Sequence, residues 1–411
     1  MSICKSCRKL CPDFIVNDFV TNTIKTIPIR AGYKTIRVTL KNADLSDKNL
    51  IFCASTSLSI VCRKGCLVDI VDIVVKSSPT DKTLRQIIPV HDLFAREAFF
   101  YNTILVDLVE FHNGSVKIEV PTLIAATLDD GDEAIILQNA GWVPKYEKWV
   151  GELTQGHIFK VLQEFARLHA LSFAFGKQQP EKNQQHREQL NKGYFSVFEN
   201  KQTVSIIRNN LNQALKFFSD DNVIQKLRKF EDEIETLLEN ILNEIPDKSV
   251  LLHGDPTCNF LFHYEKNENG NIPSRAKLID WQLVKFGSPV LDLSLFLFTN
   301  CPFDDINNVD TFLKSYHIDL DTFLKELDCN IEEVFSLKNL EDHWKKYAKV
   351  GFALAILTLK ILTMEINKRP NSNNEKLSIE EFIEGFQGPP NEDFVRKIKD
   401  IVKYCVANGL I

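Results

Sequence analysis

Three stretches near the start of the chain are dense in Val, Ile and Thr: YKTIRVTL (33–40), STSLSIVCR (55–63) and CLVDIVDIVVK (66–76). β-Branched residues at that density suit extended strands and little else. Lys64-Gly65 between the last two fits a hairpin turn. Two more strands are expected at 115–120 (SVKIEV) and 133–138 (EAIILQ). One helix falls between the first three strands and these two, within 84–109, and Pro89 splits it so that the main helix begins near His91. An amphipathic helix over 11–28, ending before Pro28, precedes the strands.

After Gly141 the pattern turns helical. GHIFKVLQEFARLHALSFAF (156–175) repeats apolar residues at helical spacing, 202–244 is largely helical, and the chain is helical again from 289, including 339–367. A short β interlude runs from SVLLHGD to AKLIDWQL, with KNENGNIPSRA (266–276) as a hairpin loop and 178–192 as a polar connector or exposed helix end. The organisation is a β-rich lobe over 1–139 followed by a larger helical lobe over 140–411, with a ligand cleft expected between the two.

The 411 residues are 44% hydrophobic and 25% charged, and the 29 Phe suggest an aromatic core. The net charge of −6 argues against general nucleic-acid binding. The longest apolar run, VGFALAILTLKILTM, contains Lys360 and is shorter than the ~20 residues of a membrane span, so it reads as a buried helix. No apolar signal segment opens the chain, and ten scattered Cys fit free thiols in a reducing, cytoplasmic setting. CKSCRKLC (4–11) has one Cys-x-x-Cys spacing but no second ligand pair near it, which a closed zinc site needs.

LLHGDPTCNFLF (251–262) sets His253, Asp255 and Asn259 inside an apolar frame, and KLIDWQL ends a further strand at Asp280. Buried polar groups are costly unless they are bonded or do chemistry. Phosphoryl transfer needs a carboxylate to orient a hydroxyl, oxygen ligands for Mg²⁺, and positive charge on the nucleotide phosphates. Asp280 and Asn259 supply a carboxylate and an amide oxygen, which leaves Asp255 as the base. Lys76 ends the third strand and Glu97 lies 21 residues later on the following helix. A strand Lys paired with a helix Glu is the arrangement protein kinases use. Taken singly, Lys76 and Glu97 read equally as surface charges, and His253 and His169 as core or supporting histidines. The ordered set is what carries the reading.

HGD with Asn259, then IDWQ, then GSPVLDLSLFL, resembles the ecdysteroid kinase-like (CHK kinase-like) family, relatives of choline kinases and aminoglycoside phosphotransferases. IVVKSSP, FAREAFFY and FARLHALS resemble further landmarks of that family. The resemblance implies an α+β, bilobal protein-kinase-like fold, with a small antiparallel β lobe carrying one main helix and a large, mostly helical second lobe. It implies ATP and Mg²⁺ as cofactors and a steroid or xenobiotic alcohol as acceptor. Asp255 would be the catalytic base, Asn259 and Asp280 the metal ligands, and Lys76 with Glu97 the phosphate anchor. Asp292 would brace the catalytic loop, and 135–142, with Leu137, Gln138 and Asn139, would form the hinge against adenine. The chain departs from the family in three places. Its comparable phosphate-covering stretch, LSDKNLIFCAS (45–55), has no Gly. Gln138 and Asn139 replace hinge acids. Thr257 and Phe260 stand where Trp and a second Asn are usual. A non-catalytic binding protein on the same fold is the competing expectation.

Overall fold

The structure is a computed structural model that describes residues 18–30, 34–40, 54–79, 82–112, 116–139, 146–148, 151–191, 201–267, 270–364 and 384–411. Helix α1 (Asp18–Arg30) precedes strands β1 (Lys34–Leu40), β2 (Ala54–Lys64) and β3 (Leu67–Ser77). After the short α2 (Lys82–Ile87), α3 (Val90–Phe99) runs through a π-helical turn, Phe100–Ile104, into α4 (Leu105–His112). Strands β4 (Leu123–Thr127) and β5 (Ala134–Gln138) complete an antiparallel sheet of order β1-β2-β3-β5-β4.

The period-two pattern of the strands sorts this sheet's two faces. Ile73 and Val75 of β3 and Ala134 and Ile136 of β5 face Val20 and Ile24 of α1. The intervening Ile135 and Leu137 face the other way and join Val90, Leu93 and Phe94 of α3 in the main core. Lys76 stands opposite Ile135 in the register, so its side chain is on the α3 face.

The second lobe is mostly helical. Its long helix α5 (Gln155–Gln178) is followed by α6 (Pro180–Asn191), α7 (Lys201–Leu215) and α8 (Asp221–Thr236). A β segment comprises β6 (Val250–Leu252), β7 (Phe260–Asn267), β8 (Gly270–Leu278) and β9 (Lys285–Gly287), paired as β6-β9 and β7-β8. Then come α9 (Pro289–Asn300), α10 (Val309–Glu326), α11 (Ile331–Val334), α12 (Leu337–Thr363) and α13 (Glu392–Ala407). Helix α9 is apolar all round and buried from Pro289 to Thr299, as a core helix must be. Gly351 lets α12 cross it closely: a Cβ there would meet Ser294 Oγ at 2.1 Å. Among the described residues no helix is long and apolar enough to cross a membrane. Lys360 instead points its ammonium at the carbonyl of Pro389, 3.1 Å away.

Several local expectations shift. Helix α1 continues through Pro28 to Arg30, and Val20 and Ile24 anchor it against the sheet. The part of that expectation over 11–17, the Cys cluster at 4–11 and nearly all of 45–55 lie outside the described residues. The β2–β3 turn is Gly65-Cys66, one residue later than expected, with Lys64 opposite Leu67. Residues 116–120, with Val116 and Ile118 buried, join no ladder; the strand on the far side of β5 from β3 is 123–127. The 266–276 loop is mostly strand, because pairing persists to Asn267–Gly270 and Pro273 lies in a two-stranded ladder with no second neighbour to satisfy. Residues 180–191 form a helix with Pro in its first turn, held by buried His186 and Leu190.

Candidate active site

The site assembles where the β sheet, α3 and the β6–β9 segment meet. Lys76, at the inner end of β3, is 6% exposed. Its ammonium donates to Glu97 Oε2 on α3 and, at 2.7 Å, to Asp280 Oδ1 after β8. Glu97 is buried, and burial raises its carboxyl pKa while Lys76 opposes that rise and Asp280 adds to it. A buried carboxylate of this kind is tolerable only with a cation against it.

Asp280 adopts φ +67°, a left-handed conformation that aspartate accepts more readily than most residues. The turn is held from both sides. Ile279 N–H donates to Asn259 O at 3.0 Å, and Val284 N–H donates to Trp281 O at 3.2 Å. Gln282 Nε2 reaches Asp280 Oδ2 at 3.4 Å.

The loop between β6 and β7 is fixed largely through its backbone. Asp292, in the first turn of α9, accepts from His253 N–H at 2.7 Å and from Gly254 N–H at 3.0 Å. His253 Nε2 lies 2.9 Å from the carbonyl of Ile279, so that nitrogen carries the proton. Its Nδ1 then accepts from Asp255 N–H at 3.3 Å. Gly254 has φ +86°, and a Cβ there would lie 1.9 Å from Leu283 O, so only glycine fits. Asn259 Nδ2 donates to Asp255 O at 3.1 Å, which turns its amide oxygen the other way. Thr257 Oγ1 donates to Asp255 Oδ1 at 2.7 Å. Burial raises the Asp255 carboxyl pKa, and the nearby Asp280 raises it further; the Thr257 hydroxyl works against both.

His169 sits behind Asp292, with Nε2 3.6 Å from Oδ2 and Nδ1 2.8 Å from Tyr316 OH. Complete burial pushes its imidazole pKa down, so it stands as neutral loop support.

The structure therefore brings Lys76, Glu97 and Asp280 into contact, and ties His253, Asp255, Asn259 and Asp292 into one bonded loop. The expected hinge stretch lies at the end of β5. Leu137 is buried, Gln138 N–H donates to Thr122 O at 2.8 Å, and Asn139 N–H donates to Asp72 O at 2.9 Å. Those two amides are committed to the sheet, and 140–142 lie outside the described residues.

Three features escaped the sequence reading. Phe100 stacks on Trp281 with ring centroids 3.9 Å apart and planes 9° apart, and Trp281 in turn meets His253 at 4.7 Å. This aromatic column runs from the π-helical turn of the first lobe to the loop of the second. Tyr101, on the same turn, buries its hydroxyl, and burial beside Glu97 holds its pKa well above the usual phenol range. Gln282 was visible in IDWQ, but nothing in the sequence aimed it at Asp280. Wide π turns recur at functional sites, yet FAREAFFY reads as ordinary helix.

The donor set suits a hard divalent cation carried with a nucleotide. One carboxylate, Asp280, and one amide oxygen, Asn259, are oxygen ligands of the kind Mg²⁺ takes alongside phosphates. Among the described residues there is no cluster of three or more His, Cys, Asp or Glu that could hold a metal ion.

Residues 63–329 match the profile of the ecdysteroid kinase-like family. No curated protein matches the chain. Among solved structures, the chain is similar to a choline kinase from Cryptosporidium parvum Iowa II, at 14% identity and TM-score 0.42 over 96% of this chain and 97% of that one. It is similar to a Plasmodium vivax ethanolamine kinase at 9% identity and TM-score 0.42, over 91% and 83% of the two chains. For an aminoglycoside-3'-phosphotransferase of type VIII the values are 14% and 0.30, over 74% and 98%.

Proposed function

Because the chain belongs to the ecdysteroid kinase-like family, we propose that it is an ATP- and Mg²⁺-dependent small-molecule kinase. Its acceptor would be a hydroxyl of an ecdysteroid-like steroid or a xenobiotic alcohol, and its setting cytoplasmic. In this reading residues 1–139 bind the nucleotide and 140–411 carry the catalytic loop and acceptor site. The observation that carries it is the single ammonium of Lys76 meeting Glu97 of one lobe and Asp280 of the other.

Mg-ATP supplies the transferable phosphoryl group and neutralises charge on the phosphates. Asn259 and Asp280 would hold the metal. Lys76, oriented by Glu97, would hold nucleotide phosphate oxygens. Asp255 would accept a hydrogen bond from the acceptor hydroxyl and take its proton as the oxygen attacks. Thr257 donates to Oδ1 of Asp255 and would help to aim the carboxylate at that hydroxyl. Asp292 and His253 would keep the loop still while this happens, so that little reorganisation is needed at the moment of transfer.

Asp255→Asn tests the assignment. It keeps size and most hydrogen bonds, so the melting temperature and Mg-ATP binding should stay near wild type. Turnover over a panel of steroid and simple alcohols should fall by about 10²–10⁴. Turnover within a few-fold of wild type removes Asp255 as base. The second reading, a binding protein on a kinase fold, is motivated by the Gly-less stretch 45–55. Mg-ATP binding by wild type with no transfer to any acceptor in the panel would select it.

A further inference from the structure

The β2–β3 hairpin carries apolar side chains into solvent at its tip. Leu67 is 65% exposed, Val68 56% and Ile70 43%, and Cys66 beside them is exposed too. Farther along the same strand Ile73 and Val75 are fully buried, so the tip breaks a pattern that β3 otherwise keeps. The cause is topological. Strand β5 pairs with β3 only from Ile73 onward, so 67–72 form an open edge, while β1 flanks β2 as far as Lys34 opposite Arg63.

The register places these residues. Val68 stands opposite Arg63 and Ile70 opposite Val61, on one face; Leu67 stands opposite Lys64, on the other. Arg37 of β1 stands opposite Val61. Arg37, Arg63 and Lys64 are exposed, and Asp69 is the one carboxylate between Val61 and Val71. The tip thus exposes apolar side chains on both faces, with Arg63 and Lys64 directly across from Val68 and Leu67 and Arg37 farther back, on a chain whose net charge is −6.

Both-sided exposure selects the occupant. A folded partner seated on one sheet face would leave the other face wet. A peptide adding a strand would use the open edge of β3, but the Ile70 N–H already donates to Asp69 Oδ1 at 2.8 Å. A carboxylate on an edge amide is a device that blocks strand addition. A lipid interface surrounds both faces at once. Leu67 to Ile70 spans about 10 Å of strand, which fits the ~5–10 Å depth of an interfacial insertion. Arg63 and Lys64, level with these apolar residues, have stems long enough to carry their charges back to anionic headgroups, where Arg37 joins them.

We propose that the β2–β3 hairpin is a peripheral membrane-docking element that inserts Leu67, Val68 and Ile70 into the interface of an anionic bilayer. The element stands apart from the phosphotransfer site, and its test needs no substrate. The full-length chain is sedimented with vesicles of phosphatidylcholine alone and of equal parts phosphatidylcholine and phosphatidylserine. Binding is expected to the mixed vesicles, weaker at high salt. Leu67→Asp/Val68→Asp should weaken it by at least about tenfold, and Arg37→Glu/Arg63→Glu should remove the preference for phosphatidylserine. As a second measurement, Val68→Trp adds an emission that should shift to the blue on mixing with these vesicles. No sedimentation of wild type, undiminished binding by the Leu67/Val68 variant, or an unshifted Val68→Trp emission would each overturn the proposal. So would self-association that the Leu67/Val68 variant abolishes without any vesicle binding, which would assign the tip to a second copy of the chain.

Discussion

Lys76 and Asp280 are 204 positions apart in the chain, yet the ammonium of one donates to the carboxylate of the other at 2.7 Å. The same ammonium holds Glu97. One cation thus joins a strand, a helix and a turn that no local interaction would bring together, and two carboxylates depend on it.

That dependence predicts an asymmetric cost. Lys76→Met leaves Glu97 buried without its cation and should destabilise the chain by about 3–5 kcal/mol. Adding Glu97→Gln to that variant removes the stranded charge and should recover about 1–3 kcal/mol. Urea unfolding of the four chains of this cycle measures both. Strict additivity of the two substitutions would mean that the pair is not energetically coupled.

Thr257 offers a finer probe of the loop. Thr257→Val is close in shape but cannot donate to Asp255 Oδ1, whereas Thr257→Ser can. If the hydroxyl orients the carboxylate for transfer, Thr257→Val should lower kcat by about tenfold with KM for ATP little changed. Thr257→Ser should restore most of it. Equal loss in both variants would point to the methyl group and its packing instead.

Glu164 on α5 is buried far from these residues, with Arg167 Nη1 3.4 Å from Oε1. Burial, only partly offset by Arg167 and worsened by Glu119, pushes its carboxyl pKa from 4.5 up to about 7. The folded chain therefore keeps a proton that the unfolded chain releases near 4.5, so stability falls as pH rises from there to about 7 and stays reduced above it. Glu164→Gln should remove this loss. It is expected to raise stability by about 3 kcal/mol at pH 8 and to change little at pH 4. Urea midpoints at the two pH values check the sign, and a variant less stable than wild type at pH 8 would contradict it.

Gly254→Ala should be among the most damaging single substitutions in the chain. The new methyl group would meet the backbone oxygen of Leu283 at 1.9 Å, at a φ of +86° that alanine resists. A loss of about 3 kcal/mol or more is expected from the clash and strain together. Circular dichroism melts, read beside Gly65→Ala, which has open space around it, separate the clash from the left-handed backbone cost alone.

Much of this was legible in the sequence, for identifiable reasons. The strands at 34–40, 54–64 and 67–77 announce themselves because β-branched residues crowd them. Residues 116–120 mislead because Val116 and Ile118 are buried by alternation, as in a strand, without a ladder to join. Lys76 and Glu97 could be paired on paper, since a strand-end lysine followed by a helix glutamate has a geometric meaning. Asp292 was assigned only through family resemblance; VLDLSLFL alone does not say that its carboxylate reaches back to the amides of His253 and Gly254. The Phe100–Trp281 stack was hidden for another reason. Phe100 is three residues beyond Glu97 and so shares its helix face, but nothing local says that Trp281, 181 positions later, supplies the other ring.

The contact between Gly254 and Leu283 has one more consequence. It is a meeting of main chain with main chain, and it abuts the turn that carries Asp255 against the turn that follows Asp280. The separation of those two carboxylates is thereby set like the spacing of two holes drilled in one plate, with no adjustable part between them. Thr257 then trims what the plate leaves open: its hydroxyl meets one of those carboxylates directly, so the backbone sets the spacing and a side chain sets the final aim.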